Sequence, residues 1–234
     1  MIWKNNIIHN KFIIAKMDII YNREKGVQKM GNKRKLFIGA ILAGFCIGIG
    51  GGIFLSIDDK IIGSCLFSIG LFLVLVMNLN LFTGKICYAR KMEDYKNAGI
   101  IWAGNFIGAG LLATIISFTR CAGISERAKI LCETKLNDSL FSLFLLGFLC
   151  NIFIFAAVDN FKNNQHEIGK YIGILLGVMG FILLGTEHCV ADMFYFVMAG
   201  NLSLSAVSRL IIITFGNVCG GLACGRVMEN YKKG

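Results

Sequence analysis

The chain has 234 residues, of which 56% are hydrophobic and only 16% charged, with 28 glycines, no proline and a formal charge of +10. A soluble domain averages roughly 25% charged residues, so this is not an ordinary water-soluble globule, and so few charges also exclude a disordered chain. In a soluble protein the basic excess would suggest nucleic acid; in one this apolar it points to a membrane surface instead.

The first 35 residues carry nine Lys and Arg among Ile and Phe. They lack the compact apolar run and small-residue cleavage site of a signal peptide. Residues 7–21 read as a basic amphipathic helix lying on the membrane. Four charge-free windows follow: Leu36–Ile57, Ile61–Gly84, Asn97–Thr119 and Ser139–Val158. Each exceeds the ~18 apolar residues that mark a spanning helix. Tyr171–Ala199 is a fifth span, interrupted by Glu187, His188 and Asp192, and Leu202–Gly225 is a sixth that contains Arg209.

Six spans place both termini on one side of the membrane. That side collects 18 of the Lys and Arg residues and the other side six. The positive-inside rule then predicts cytoplasmic termini for a multi-pass protein of the cell (inner) membrane. Most of the nine cysteines lie in or beside spans, where thiols behave as small apolar groups. Cys121 and Cys132 share the long outer loop and could pair in an oxidising setting, although free thiols are the preferred reading. There is no CxxC spacing, and no metal site or cofactor is expected.

The third and sixth spans contain similar strings, Gly104-Asn105-Phe106-Ile107-Gly108 and Gly216-Asn217-Val218-Cys219-Gly220. Each closes a three-span half. Three is odd, so the halves cross the membrane in opposite directions, as in the inverted repeats of transporters and channels. Small-xxx-small helix packing accounts for the glycines without any function. An inverted repeat predicts irregular segments at matching positions. Asn78 to Lys85 ends the second span with two Asn, a Thr and a Gly, and Gly185 to Met193 holds Glu187 and His188 at membrane depth. With no proline available, Gly84 and Gly185 are the expected break points.

Adjacent Glu187 and His188 carry the strongest chemical signal, because ionisable groups inside a span are costly and usually mark a pathway or relay. The plainer alternative is a histidine held by a neighbouring helix, with Glu187 capping the next half-helix. The other two histidines, His9 and His166, fall on or near the cytoplasmic side, which argues against a metalloenzyme.

At these residues the sequence resembles the formate/nitrite transporter family of formate, nitrite and hydrosulfide channels. The resemblance runs from about Lys25 to near the end of the chain. It is carried by Leu81-Phe82-Thr83, Asn151, Glu187-His188 with Ala191 and Met193, and the two Gly-Asn-x-x-Gly strings. It implies an aquaporin-like, all-α protomer of six transmembrane helices in two inverted repeats, with helices 2 and 5 interrupted and five protomers in a homopentamer. It also implies a pH-gated channel for a small monovalent anion within the lipid bilayer, with no nucleic-acid partner and no enzymatic activity.

Carried over position by position, His188 is the central pore histidine and Thr83 its hydrogen-bonding partner. Leu71 and Phe82, with Ile154 nearby, form the cytoplasmic constriction, and Phe67 and Phe181 the outer one. Asn151 faces the pore, and Lys135 lends positive charge to the outer vestibule, where the plain reading is a solvated loop lysine. Residues 1–35 form a basic cytoplasmic segment, 36–228 the channel domain and 229–234 a cytoplasmic tail. Three positions depart from the family pattern: Thr186 before Glu-His, Cys189 after it, and Asp192 where Asn is usual. Two other classes share some of these features. A channel for neutral solutes would be expected to carry Asn-Pro-Ala boxes, which a chain without proline cannot have. A membrane enzyme using Glu187 and His188 would need more polar groups than Thr83, Asn151 and Asp192.

Overall fold

The computed structural model describes residues 31–233. The expected N-terminal amphipathic helix, residues 7–21, lies outside the described residues. The remainder is all-helical, with no strand among the described residues. In chain order the helices are α1 (Gly31–Leu55), α2 (Lys60–Val76), α3 (Phe82–Ile86), α4 (Met92–Ser117), α5 (Ser125–Asn137), α6 (Leu140–Asn163), α7 (Glu167–Leu184), α8 (Cys189–Met198) and α9 (Leu204–Tyr231). Five of them, α1, α4, α6, α7 and α9, are long and apolar enough to cross a membrane, and α2 and α8 are shorter apolar helices. The second and fifth spans are each split, into α2 with α3 and α7 with α8.

Both splits are built in the same way. Asn78 adopts a left-handed φ of 51° and Gly185 one of 77°. After α2, the Asn78 N–H donates to the Leu75 carbonyl at 3.1 Å and the Leu79 N–H to that of Val74 at 2.8 Å. After α7, the Gly185 N–H donates to Ile182 at 3.1 Å and the Thr186 N–H to Phe181 at 3.0 Å. This is the Schellman ending, in which a left-handed residue turns two orphan carbonyls back onto the chain. The break in the second span is therefore at Asn78 and not at Gly84. Asn is among the few side-chain-bearing residues that tolerate this conformation, whereas Gly84 is helical and buried within α3.

Backbone contact between spans depends on glycine at a few crossings. A Cβ on Gly108 would overlap the Ile41 carbonyl of α1, and one on Gly220 would overlap the Phe148 carbonyl of α6. These crossings hold α4 against α1 and α9 against α6, using the small residues that membrane helices use for close approach. The interrupted spans fit between them, with α2 packed on α7, α4 on α8, and α3 touching α4, α6 and α9.

Candidate pore and its polar centre

Asparagines hold the two breaks in place. Asn105 Oδ1 accepts the Phe82 N–H at 2.8 Å, and its Nδ2 donates to the carbonyls of Ala40 at 2.7 Å and Asn80 at 2.9 Å. Asn217 repeats the pattern, with Oδ1 accepting the Cys189 N–H at 2.9 Å and Nδ2 donating to Gly147 at 2.7 Å and Glu187 at 2.9 Å. Both are fully buried. Unwound backbone at membrane depth needs such partners, because no water is there to supply them. The similar strings in the third and sixth spans thus have two roles, glycines for close packing and an asparagine for the break beside them.

The half-helices so positioned bring Thr83 and His188 together. Thr83 Oγ1 lies 2.9 Å from His188 Nε2, and both residues are buried. The other ring nitrogen, Nδ1, accepts the Ala191 N–H at 3.2 Å, so His188 caps α8. A neutral imidazole that accepts at Nδ1 carries its proton at Nε2. His188 is therefore the donor to Thr83, and the threonine hydroxyl keeps its own proton free to donate elsewhere.

Glu187 does not cap α8 and does not bond to the ring beside it; its carboxylate takes the Lys135 ammonium. Lys135 Nζ also lies 3.1 Å from Asp192 Oδ1, and all three residues are buried. Burial alone would favour loss of the Lys135 proton, but Asp192 and Glu187 outweigh it and hold the ammonium above its ordinary range. Lys135 sits in the last turn of α5, where Arg209 of α9 donates to the carbonyls of Lys135 at 3.1 Å and Leu136 at 2.6 Å. This cation at a helix C-terminus fixes where α5 docks.

Two cavities flank the Thr83–His188 contact. One, of about 190 Å³, is lined by Lys60, Lys135, Phe181, Glu187, His188 and Asp192 among others. The second, of about 80 Å³, lies towards the chain termini and is lined by Leu71, Leu81, Gly84, Lys85, Val158 and Lys162 among others. The short α3 connects the two, since Leu81 and Gly84 face the second cavity while Thr83 bonds the histidine of the first.

The profile of the formate/nitrite transporter family matches residues 18–231. The chain belongs to this family. It is 27% identical to the formate channel FocA of Haemophilus influenzae, over 86% of this chain and 88% of that one. It is 29% identical to the formate channel BtFdhC of Bacillus thuringiensis, over 69% of each chain. A solved structure described as a pentameric formate channel with formate bound superimposes with a TM-score of 0.76 at 25% identity, covering 86% of this chain and 97% of that one.

Within this family member, the residues singled out from sequence fall into three groups. Phe67 and Phe181 meet edge to face at 5.8 Å, and Phe181 stacks on the His188 ring at 5.7 Å. Leu71 lines the cavity towards the termini, while Phe82 and Ile154 are buried and line neither cavity. Asn151 is also buried. Its Nδ2 donates to the Asn217 carbonyl at 2.7 Å and the Thr83 carbonyl at 3.2 Å, which ties α6 to α9 and α3.

Lys135 is not the solvated loop lysine of the plain reading. Cys121 and Cys132 are both free. Sequence reasoning missed Arg209 as the anchor of α5, although a lone arginine near the start of an apolar span was the available signal. It saw Asn105 and Asn217 only as part of a repeat.

Proposed function

We propose that this protein is a homopentameric channel for small monovalent weak-acid anions, with formate the first candidate and nitrite and hydrosulfide behind it. Both termini face the cytoplasm, and each protomer carries its own pore. The observation that carries this reading is the Thr83–His188 contact between the two cavities. Family membership and the formate channels among the relatives support the choice of substrate.

An anion leaving water for a narrow apolar passage loses hydration worth several kcal/mol or more. Phe67 and Phe181 on one side, and Leu71 and Phe82 with Ile154 on the other, form the passage. The Thr83 hydroxyl, its oxygen held by His188 Nε2–H, is the donor within it, and the start of α8 presents the positive end of a helix. Neutral His188 donates a hydrogen bond and not a proton, since proton transfer would leave an imidazolate. The proton that neutralises the anion enters with it from solvent. Flux therefore rises as pH falls and the neutral acid becomes commoner.

The test is formate flux into proteoliposomes against pH for the wild type and His188→Phe. Loss of flux on the order of tenfold or more, with an intact pentamer, is expected. Unchanged flux and an unchanged pH profile overturn the role of His188.

A further inference from the structure

The outer cavity, opposite the termini, sets Lys60 and Lys135 against Glu187 and Asp192. Its lining therefore has no net formal charge, and an anion must be selected there by directed donors rather than by the field. Most side-chain donors around it are already engaged. The hydroxyls of Thr134 and Thr186 donate to the carbonyls of Ile130 at 3.1 Å and Phe181 at 2.9 Å, and His188 Nε2 is taken up by Thr83. Lys60, at the exposed rim, donates to the Leu183 carbonyl at 3.2 Å. A lysine ammonium has three N–H donors, and Lys135 directs two of them to Glu187 and Asp192.

Tyr195 is different. It lines the same cavity and is 7% exposed, yet its hydroxyl makes no hydrogen bond among the described residues. Among those residues, the unpartnered polar side-chain atoms that are sealed from solvent are Asn151 Oδ1 and Asp192 Oδ2. The Tyr195 hydroxyl is not one of them, so it opens on the cavity. Packing fixes its ring, which meets Phe194 edge to face at 5.9 Å and lies so close to α1 that a Cβ on Gly51 would come within 3.3 Å of it. Lys135 Nζ lies 6.0 Å from the ring centre. Two unspent donors, a hydroxyl and an ammonium N–H, thus border one space.

We propose that Tyr195 is a specificity-determining residue of the outer cavity: its hydroxyl and the third N–H of Lys135 together hold a small anion that offers two acceptor oxygens, one for each donor. This inference rests on the reading of the protein as an anion channel. Formate and nitrite each carry such a pair of oxygens. Hydrosulfide has a single acceptor atom and satisfies one donor only. A site built to hydrogen-bond two oxygens disfavours a ligand that supplies one partner, because the remaining donor is left unpaired away from water.

Uptake of labelled formate is measured at one fixed pH in right-side-out and inside-out vesicles from the same cells. It gives the half-saturating concentration of formate at each face and, at the outer face, the half-inhibiting concentrations of nitrite and hydrosulfide, all counted as anion. In the wild type, nitrite inhibits at a concentration on the order of tenfold below that of hydrosulfide. Tyr195→Phe raises the outer formate and nitrite values on the order of tenfold, as loss of one hydrogen bond to a charged group should do. The hydrosulfide value and the inner formate value stay where they were. Removing an unpartnered hydroxyl breaks no bond within the protein, so the melting temperature is unchanged.

Equal outer values for nitrite and hydrosulfide in the wild type overturn the proposal, and that measurement stands even if Tyr195→Phe fails to assemble. An outer formate value unmoved by Tyr195→Phe also overturns it. So does an equal shift for all three anions, or for formate at both faces, which marks a purely structural role. A wild type that carries no formate, nitrite or hydrosulfide from either face defeats the channel reading itself, and the inference with it.

Discussion

Asn105 and Asn217 make the same set of contacts in the two halves of the chain. Each carboxamide oxygen accepts the first N–H of a half-helix, and each carboxamide nitrogen donates to the carbonyl two residues earlier in the chain. A second donation reaches the first span of the same half, at Ala40 or Gly147. The N–H groups of Asn80 and Glu187 complete the parallel, donating to Gly39 at 3.2 Å and Leu146 at 3.3 Å. Two helix breaks at membrane depth are thereby sealed without water, and the residues that follow them, Thr83 and His188, are fixed relative to each other.

Replacing either clamp tests this arrangement. Asn217→Ala leaves the Cys189 N–H and the Glu187 carbonyl without partners, while the Gly147 carbonyl keeps only its bond within α6, at a cost of about 1–3 kcal/mol for each group that finds no substitute. The expected outcome is a pentamer that dissociates or unfolds several degrees earlier in detergent. Asn217→Asp, which can still accept from Cys189 but no longer donates, should lie between the two. A melting temperature for Asn217→Ala within a degree of the wild type would show that the clamp is not what holds the break.

The Thr83 hydroxyl separates donation to the anion from the packing of α3. Thr83→Val keeps the shape and removes the group that accepts from His188 Nε2 and carries a free proton. Formate flux should fall on the order of tenfold, a barrier higher by about 1.4 kcal/mol, and the His188 Nε2–H left without its acceptor should cost about 1–3 kcal/mol of stability. Thr83→Ser should retain most of the flux. Equal flux in all three proteins would remove Thr83 from the conduction path.

Lys135 is predicted to matter to stability more than its place in a loop suggests. Removing one partner of a buried ionic cluster leaves charge uncompensated and costs about 3–5 kcal/mol. Lys135→Met should therefore express poorly, and adding Glu187→Gln and Asp192→Asn should restore assembly. The pH dependence follows from the raised ammonium. Its contribution is fully present below lysine's unfolded value and is lost only as pH rises through the higher folded value. Melting temperature should not fall between about pH 7 and about pH 9 on account of this cluster. A steep loss over that range, absent in the triple variant, would contradict it.

Two thiols report on topology and burial together. Cys121 is exposed in the segment between α4 and α5, on the side opposite the termini. Cys132 is buried in α5, and burial pushes its thiol up to about 12. In right-side-out vesicles a membrane-impermeant maleimide should label Cys121 within minutes and leave Cys132 unmodified until denaturant is added. Labelling of Cys121 only in inside-out vesicles would reverse the proposed orientation.

Much of this protein is legible in one dimension because a membrane imposes simple rules on sequence. Charge-free windows longer than ~18 residues fix the spans. An ionisable pair such as Glu187-His188 inside one of them stands out, and so do two similar strings at matching positions. The meeting of Thr83 with His188 was expected from the family pattern.

Contacts that cross the chain were decided only by the tertiary structure. The second span breaks at Asn78 and not at the expected Gly84, because the left-handed turn needs only a residue that tolerates it and asparagine does. Lys135 looks like a loop lysine until α5 docks beneath Arg209 and delivers its ammonium to two buried carboxylates. Glu187 turns from its neighbour in sequence to that lysine because a buried charge takes the strongest counter-charge within reach, and which one that is depends on packing. Composition and spacing determined that the chain spans a membrane in interrupted segments; side chains from distant helices decided where each interruption falls and what charge it presents.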